Sequence, residues 1–345
     1  MSEILTAGMD VGSSAVKTVI AAARRIDAEH VEERVLTMRT DRIRRRDLRK
    51  VIEESYESAL GDANVSRDDI VYLATTGEGE LVEFRRGHFY GMTTHARGAL
   101  FLMPEARGAL DIGALHARAL KMDDKSRVLG YRMTSQCASG SGQFLENVAR
   151  YLGITLEDIG PLSCSADDPE MVSSICAVLA ETDVINMVSR GIKTQDILKG
   201  IHLSMAGRYL KLLRSIGAEG TVAITGGLSA DTGLAKALSE KIRDEKLNME
   251  IVTDARAIYA GAIGAALWGA FRHEVLSRRS EPPARPVPRG SEPPAPPVPR
   301  GSSEFLGVPR EDGAPAPLIP REVEPPAPLP LRGTRGTRGT PRNST

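Results

Sequence analysis

A repeated turn limits the folds that are open to this chain. Ile4 to Asp10 is a mostly apolar segment that runs into Gly12-Ser13-Ser14, and a second apolar segment, Ala15 to Ala23, follows it. This pattern predicts a β-hairpin with an acidic residue at its bend. Ala109 to Gly113 is again apolar and again ends in Asp-x-Gly. Two such turns in one chain predict two structurally related halves.

Two further glycine turns lie next to predicted helices. Gly140-Ser141-Gly142 precedes an amphipathic segment, and Gly226-Gly227 follows the apolar segment Val222 to Thr225. Glycine lets the backbone approach a phosphate, helix N-termini attract anions, and a carboxylate such as Asp10 or Asp111 can hold a hydrated Mg²⁺. One turn of this kind is weak evidence because hairpins without a ligand also contain it. Four together predict a nucleotide site.

The order of the four turns resembles that of a known superfamily. Acetate and sugar kinases, the ATPase domain of heat-shock chaperones, and actin share this order of two phosphate motifs, a connecting motif and an adenosine motif. The resemblance implies an α/β, two-lobed, actin-like fold with duplicated mixed-sheet halves. The sequence has no Walker A motif and no Rossmann glycine motif after the first strand, which disfavours those two nucleotide folds. Lys17 is either a phosphate ligand or an ordinary strand lysine.

Proline is concentrated at the C-terminal end, where 18 of the 21 prolines follow residue 276. We therefore predict a globular body, residues 1–276, and a Pro/Arg-rich disordered tail, residues 277–345, which cannot bury enough apolar surface to fold. A body of this size commonly divides in two. Lobe I is predicted at about 1–105 plus a closing helix at 257–272, and lobe II at about 106–256. The tail is either a docking arm or a dispensable extension.

Composition disfavours several classes of partner. The 45 basic and 45 acidic side chains give no net charge, so neither nucleic acid nor a membrane is an expected partner. The sequence lacks an apolar run of about 18 residues and a signal-peptide pattern, which predicts a cytoplasmic protein. Three cysteines, an odd number, argue against a disulfide framework.

Cys137 and Cys176 each lie near the start of a predicted helix. The positive end of the helix dipole favours a thiolate over a thiol, and it also favours a bound anionic cluster. A [4Fe-4S] cluster usually takes four thiolates, so a chain that offers two would share the cluster with a second chain. The alternative is that both cysteines are buried core residues. Cys164 has no helix start after it and is assigned to the core.

Four segments together resemble one family: Asp10–Ser14, Thr94–Gly98, Gln136–Glu146 and Cys176–Thr182. The family contains the activators of 2-hydroxyacyl-CoA dehydratases and the ATPase subunits of benzoyl-CoA reductase, and the resemblance covers about residues 5–270. Asp111–Arg118 departs from the Asp-Ile-Gly-Gly-Gln-Asp pattern of the activators. It is similar to the D-type ATPase subunits of the ATP-dependent, class I reductase.

The resemblance implies an ATP-driven electron-transfer subunit. In the family, two homologous ATPase chains hold one [4Fe-4S] cluster through two cysteines each, here Cys137 and Cys176, and a ferredoxin supplies the electrons. ATP hydrolysis lowers the potential of the electron, which passes to two catalytic reductase subunits for ring reduction of benzoyl-CoA. Asp10 and Asp111 are the expected Mg²⁺ and phosphate partners. The expected nucleotide-binding residues are Gly12, Ser13, Ser14, Lys17, Gly113, Gly140, Ser141, Gly142, Gly226 and Gly227.

The residue that orients the attacking water is left open among three carboxylates, Glu146, Glu181 and Asp183. Three alternatives to the reductase subunit also remain open. The first is an activator of a 2-hydroxyacyl-CoA dehydratase, which works as a homodimer. The second is a small-molecule kinase of the same fold, which needs no cysteines. The third is a non-catalytic scaffold with an actin-like body.

Overall fold

The structure is a computed structural model that describes residues 3–27, 30–134, 141–172 and 177–280. All of these residues belong to one compact unit, Met1–Ala284. The predicted tail lies outside the described residues from position 281 onward. Within the described ranges, no helix combines the length and the apolar composition needed to cross a membrane.

The first sheet has five strands in the order β3-β2-β1-β4-β5. The first three strands of the chain form an antiparallel meander, while β4 runs parallel to β1 and β5 runs parallel to β4. The strands are β1 Ile4–Val11, β2 Ala15–Arg25, β3 Val31–Arg42, β4 Ile70–Gly77 and β5 Gly87–His88.

The second sheet repeats this topology in the order β10-β9-β6-β7-β8. Its antiparallel meander is β6-β7-β8, and the parallel strands β9 and β10 extend the sheet beside β6. The two sheets are therefore built in the same way, as the repeated turns predict. The strands are β6 Gly108–Ile112, β7 Ala117–Met122, β8 Val128–Met133, β9 Gly220–Thr225 and β10 Met249–Val252.

Eight α-helices connect and cover the two sheets in the described part of the chain. α1 packs on β2 and β3, α2 packs on α8, and α6 packs on both α4 and α7. The helices are α1 Leu48–Ala63, α2 Gly91–Leu102, α3 Gly142–Leu152, α4 Leu156–Cys164, α5 Ala177–Ser189, α6 Thr194–Ser215, α7 Thr232–Asp244 and α8 Ala260–Ser280.

Three main hydrophobic clusters form the core. One surrounds Met9 and Ile20 under α1, and a larger one surrounds Tyr209 in the second half. The third is rich in alanine and joins residues of both sheets, such as Val19 and Ala223, to α2 and α8. Because its side chains are small, the backbones of α2 and α8 approach closely at the junction of the two halves.

The structure differs from the sequence-based prediction between residues 31 and 60. The apolar residues between Asp41 and Leu60 recur at helical spacing and predict a helix over this segment. In the structure, Asp41 and Arg42 still pair with β2, and α1 begins only at Leu48. Asp47 caps this helix, since its carboxylate accepts a hydrogen bond from the amide of Lys50 at 3.0 Å. The segment therefore does form a helix, but the helix starts later than the pattern predicts because strand pairing extends to Arg42 and Asp47 is the N-cap.

Candidate functional site

The two Asp-x-Gly turns have matching hydrogen bonds. The amide of Gly12 donates to the carbonyl of Ala15 at 3.0 Å, and the amide of Gly113 donates to the carbonyl of His116 at 2.9 Å. Each turn carries its aspartate at the end of the incoming strand. Asp10 lies opposite Lys17, and Asp111 lies opposite Arg118. Each half therefore places a carboxylate beside a basic side chain of the following strand.

The parallel neighbour of each aspartate strand repeats as well. Asp10 pairs in register with Thr76, and Asp111 pairs with Thr225. A glycine with positive φ follows each threonine, Gly77 at 68° and Gly226 at 85°. A Cβ atom would lie 2.4 Å from the Val11 carbonyl oxygen at Gly77 and 2.7 Å from the Ile112 carbonyl oxygen at Gly226. Only glycine fits both the backbone conformation and this close approach.

His95 on α2 lies between the two aspartates. Its Nδ1 atom is 3.3 Å from Oδ1 of Asp111 and 3.0 Å from Oγ1 of Thr225, and its Nε2 atom is 4.0 Å from Oδ2 of Asp10. The side chain of His95 is 4% exposed. Gly261 lies against this contact, because a Cβ atom there would be 2.7 Å from Nε2 of His95. A single buried imidazole thus contacts the acidic residue of each half.

The charges around Asp111 keep its carboxyl group ionised. Burial alone would raise the pKa of Asp111, but the interactions with His95 and Arg118 outweigh burial and lower the pKa below its usual 3.8. Arg118 donates from Nε to Oδ2 of Asp111 at 2.8 Å, and Asp111 in turn raises the pKa of Arg118. Burial lowers the pKa of His95 despite the nearby carboxylates, so the imidazole is neutral near pH 7.

We expect the buried His95 to make the fold less stable at acid pH. Its folded pKa lies below the ordinary 6.5 of an unfolded histidine, so the unfolded chain binds the proton first. Stability should therefore fall as the pH drops below about 6.5. Urea titrations at about pH 7.5 and pH 5.5 measure how much unfolding free energy is lost between these two pH values. This loss should be smaller for His95→Gln than for wild type. His30→Gln, at an exposed position, is the control, and an unchanged loss in His95→Gln would contradict the prediction.

Three of the glycine turns meet at residues 112–114. The amide of Gly142 donates to the Gly113 carbonyl at 3.0 Å, and the amide of Gln143 donates to the Ala114 carbonyl at 2.9 Å. The amide of Leu228, directly after Gly226-Gly227, lies 3.3 Å from the Ile112 carbonyl. The second phosphate turn, the start of α3 and the predicted adenosine turn are therefore contiguous in space.

The remaining predicted nucleotide ligands that the structure describes lie at or near these turns. Ser13 and Ser14 are exposed in the first hairpin turn, and Ser141 is buried just before α3. Lys17 Nζ is 3.7 Å from Oδ2 of Asp10, so its ammonium contacts the carboxylate of its own hairpin. Gly140, Cys137 and Cys176 lie outside the described residues. Their predicted roles stay predictions.

The three candidate bases differ in their surroundings. Glu181 on α5 accepts a hydrogen bond from Nδ2 of Asn147 at 3.2 Å, and Oδ1 of Asn147 lies 3.3 Å from Nε2 of Gln143. This chain of side chains reaches α3 at the residue that bonds Ala114 of the second turn. Glu146 instead points to Arg150, 3.6 Å away on the same helix. Hydrogen bonds through Asn147 therefore connect Glu181 to the turn that contains Gly113. Asp183 stays a candidate from the sequence.

Mg²⁺ fits the donor set of this site. Asp10 and Asp111 are carboxylates that are 8% and 3% exposed at the ends of equivalent strands. Mg²⁺ commonly takes one or two protein carboxylates and completes its shell with water and phosphate oxygens. Among the residues that the structure describes, no group of three or more His, Cys, Asp or Glu side chains is arranged to hold a metal on its own.

Sequence reasoning missed several residues of this site. His95 and Arg118 lie within segments that carry the family resemblance, but the sequence assigns neither of them a role. Thr76 and Thr225 were likewise not predicted. The signal that could have found them is the repeated Thr-Gly at the ends of β4 and β9, which follows the repeated Asp-x-Gly.

Comparison with known proteins bears on both family and fold. Residues 7–269 match the model of the BadF/BadG/BcrA/BcrD ATPase family. The chain is 60% identical over 275 residues to the D subunit of benzoyl-CoA reductase from Thauera aromatica, covering 79% of this chain and 96% of that protein. It is 32% identical over 266 residues to the 2-hydroxyisocaproyl-CoA dehydratase activator of Clostridioides difficile, covering 76% of this chain and 94% of the activator.

Two solved structures of dehydratase activating proteins are similar to this chain in fold. The activator of the 2-hydroxyisocaproyl-CoA dehydratase from Clostridium difficile with bound ADPNP matches with a TM-score of 0.71 at 29% identity, covering 82% of this chain and all of that one. Component A of the (R)-2-hydroxyglutaryl-CoA dehydratase from Acidaminococcus fermentans matches with a TM-score of 0.70 at 27% identity, covering 79% of this chain and 99% of that one. The predicted actin-like α/β fold with two duplicated mixed sheets is confirmed. The chain belongs to the BadF/BadG/BcrA/BcrD ATPase family.

Proposed function

We propose that this chain is the ATP-hydrolysing, cluster-bridging subunit of a benzoyl-CoA reductase. The observation that carries the proposal is the pair of equivalent buried aspartates joined by His95, in a chain that is 60% identical to the D subunit of such a reductase. The similar solved activator carries bound ADPNP, which supports an adenine nucleotide as the ligand of this chain. The predicted lobes, 1–105 with 257–272 and 106–256, would close on this nucleotide.

Different residues of the chain would bind the phosphates, hold Mg²⁺ and orient the attacking water during ATP hydrolysis. The amides of Gly12, Gly113 and Gly142 already donate to backbone carbonyl groups, so it is the neighbouring amides of these turns that would donate to phosphate oxygens. Asp10 and Asp111 would hold Mg²⁺, which when bound neutralises charge on the phosphates. Arg118 keeps Asp111 ionised and in place through its hydrogen bond. Glu181 is our choice for the residue that orients the attacking water, because hydrogen bonds through Asn147 connect it to the phosphate turns.

His95 gives this site a physical route to conformational change. It contacts an aspartate of each half, so a change in the charge held between Asp10 and Asp111 acts on both sheets through one side chain.

Partial reduction of an aromatic ring needs an electron more reducing than its donor supplies, and nucleotide hydrolysis would provide the difference. A ferredoxin is the proposed donor, and the proposed acceptors are two catalytic subunits in the cytoplasm.

The cluster is the part of the proposal that an iron assay tests. We expect Cys137→Ser and Cys176→Ser each to remove one [4Fe-4S] cluster from the anaerobically purified complex, because a shared cluster needs all four thiolates. ATP-dependent electron transfer to the reductase should be lost with it. Cys164→Ser is the matched control, since Cys164 is a free, half-buried cysteine at the end of α4. Iron and acid-labile sulfide are measured in all three variants.

Two outcomes would contradict the proposal. Iron that is missing from wild type, or unchanged in both cysteine variants, would make the cysteines core residues and favour a small-molecule kinase. A homodimer that activates a dehydratase would instead place the chain with its 32%-identical relative, the 2-hydroxyisocaproyl-CoA dehydratase activator. The subunit composition of the purified complex separates this alternative from the reductase.

A further inference from the structure

An arginine-rich loop lies between β3 and α1. Four arginines of this loop line one surface cavity of about 680 Å³: Arg42, Arg44, Arg45 and Arg46. All four side chains are exposed. Neither the ATPase site nor the cluster proposal uses them.

The arginine loop is fixed beside the first phosphate turn. The amide of Ile43 donates to the carbonyl of Ser14 at 2.9 Å, and Arg42 pairs in register with Ala15. A second hydrogen bond, from the amide of Arg46 to the carbonyl of Ile43 at 2.9 Å, closes the loop. The loop therefore follows directly along the hairpin that carries Ser13 and Ser14.

Two of the four charges are already paired. Arg42 lies 3.6 Å from Glu157 on α4 of the second half, and Arg46 lies 3.3 Å from Glu54 on α1. Within the described residues, Arg44 and Arg45 have no carboxylate within ion-pair distance. Their positive charges are therefore available to an anion from solution.

The backbone at Arg44 is unusual. Its φ of 49° lies in the left-handed region, which favours glycine or asparagine. An arginine at such a position is costly for the backbone, which points to a role for its side chain.

We propose that Arg44 and Arg45 form a phosphate-binding entry site beside the nucleotide cleft. The guanidinium group matches phosphate oxygens with paired donors, and clustered charge of one sign raises the local concentration and association rate of an oppositely charged ligand. The ligand is a phosphate group, either the phosphate tail of an incoming nucleotide or free phosphate after hydrolysis. Arg42 connects this site to the second half through Glu157. The inference rests on the proposed function, since it assumes that the adjacent turn receives the nucleotide.

The test compares association rates in the full-length protein. The double variant Arg44→Gln/Arg45→Gln should bind fluorescent mant-ATP about tenfold more slowly than wild type in low salt, and the rates should converge at high salt because the attraction is screened. Uncharged mant-adenosine should associate equally fast with both proteins. Inorganic phosphate added as a competitor distinguishes the two sources: weaker competition in the variant assigns the site to free phosphate as well.

Arg243→Gln is the matched control. Arg243 is an exposed arginine in the last turn of α7, about 17 Å along that helix from its start near the predicted adenosine turn. Equal mant-ATP rates and equal salt dependence in wild type and the double variant would overturn the inference. If reductase turnover alone fell in that case, the arginines would serve an acidic protein partner instead. A wild-type protein that binds no mant-ATP would contradict the proposed function itself.

Discussion

Replacing Asp111 with asparagine is expected to lower the rate of ATP hydrolysis by about a hundredfold or more. The carboxylate is 3% exposed, stays ionised through Arg118, and would share Mg²⁺ with Asp10. An amide of the same size removes the charge and leaves the guanidinium of Arg118, a side chain that is only 25% exposed, without its carboxylate. Asp10→Asn should act in the same direction. The measurement is the steady-state rate of phosphate release by the assembled complex over a series of Mg²⁺ concentrations.

The control for this experiment is Asp68→Asn. Asp68 is exposed in a short 3₁₀ turn before β4, far along the chain from either phosphate turn. A urea titration of each variant separates loss of catalysis from loss of folding, since a folded Asp111→Asn protein should still be unable to turn over ATP. Wild-type turnover in folded Asp111→Asn would show that this aspartate is a structural partner of Arg118 and not a part of the catalytic site.

Replacing Gly264 with alanine is expected to destabilise the protein by about 3 kcal/mol or more. A Cβ atom at this position would lie 1.8 Å from the carbonyl oxygen of Thr94, inside the contact between α2 and α8. Backbone cannot move aside as a flexible side chain can, so the two helices must separate. Because Thr94 precedes His95, the same shift should disturb the contacts of His95 with both aspartates. Urea unfolding measures the loss of stability, and mant-ATP binding measures the change at the site.

Gly207→Ala, in the middle of helix α6, is the matched control for Gly264→Ala. A Cβ atom at Gly207 would meet nothing within 4 Å. Alanine there should stabilise the protein by about 0.5–1 kcal/mol, because it lowers the entropy of the unfolded chain and favours the helix. The two glycine variants should therefore move stability in opposite directions. Similar small changes in both would mean that the α2–α8 contact yields to a methyl group.

Local chemistry made much of the fold predictable. Asp-x-Gly turns between apolar segments indicate hairpins, and glycine at the end of a helical pattern marks where α3 and α5 stop. The strand β3 escaped prediction because its sequence is rich in charged residues without regular alternation, and because it is an edge strand that pairs only with β2. Helix α2 escaped because its sequence, rich in small residues, has a weak amphipathic pattern that becomes a helix only against α8.

The sequence alone determined where the two Asp-x-Gly turns lie, because a turn depends on a few consecutive residues. Asp10, Asp111 and their glycines could be identified in this way. Only the tertiary structure decided that His95 contacts Thr225 as well as both aspartates, because 85 residues of chain separate it from Asp10 and 130 separate it from Thr225. That contact depends on α2 packing closely on α8 through Gly98 and Gly264. Contacts between distant segments arise from the packing of whole elements, and no local pattern records them.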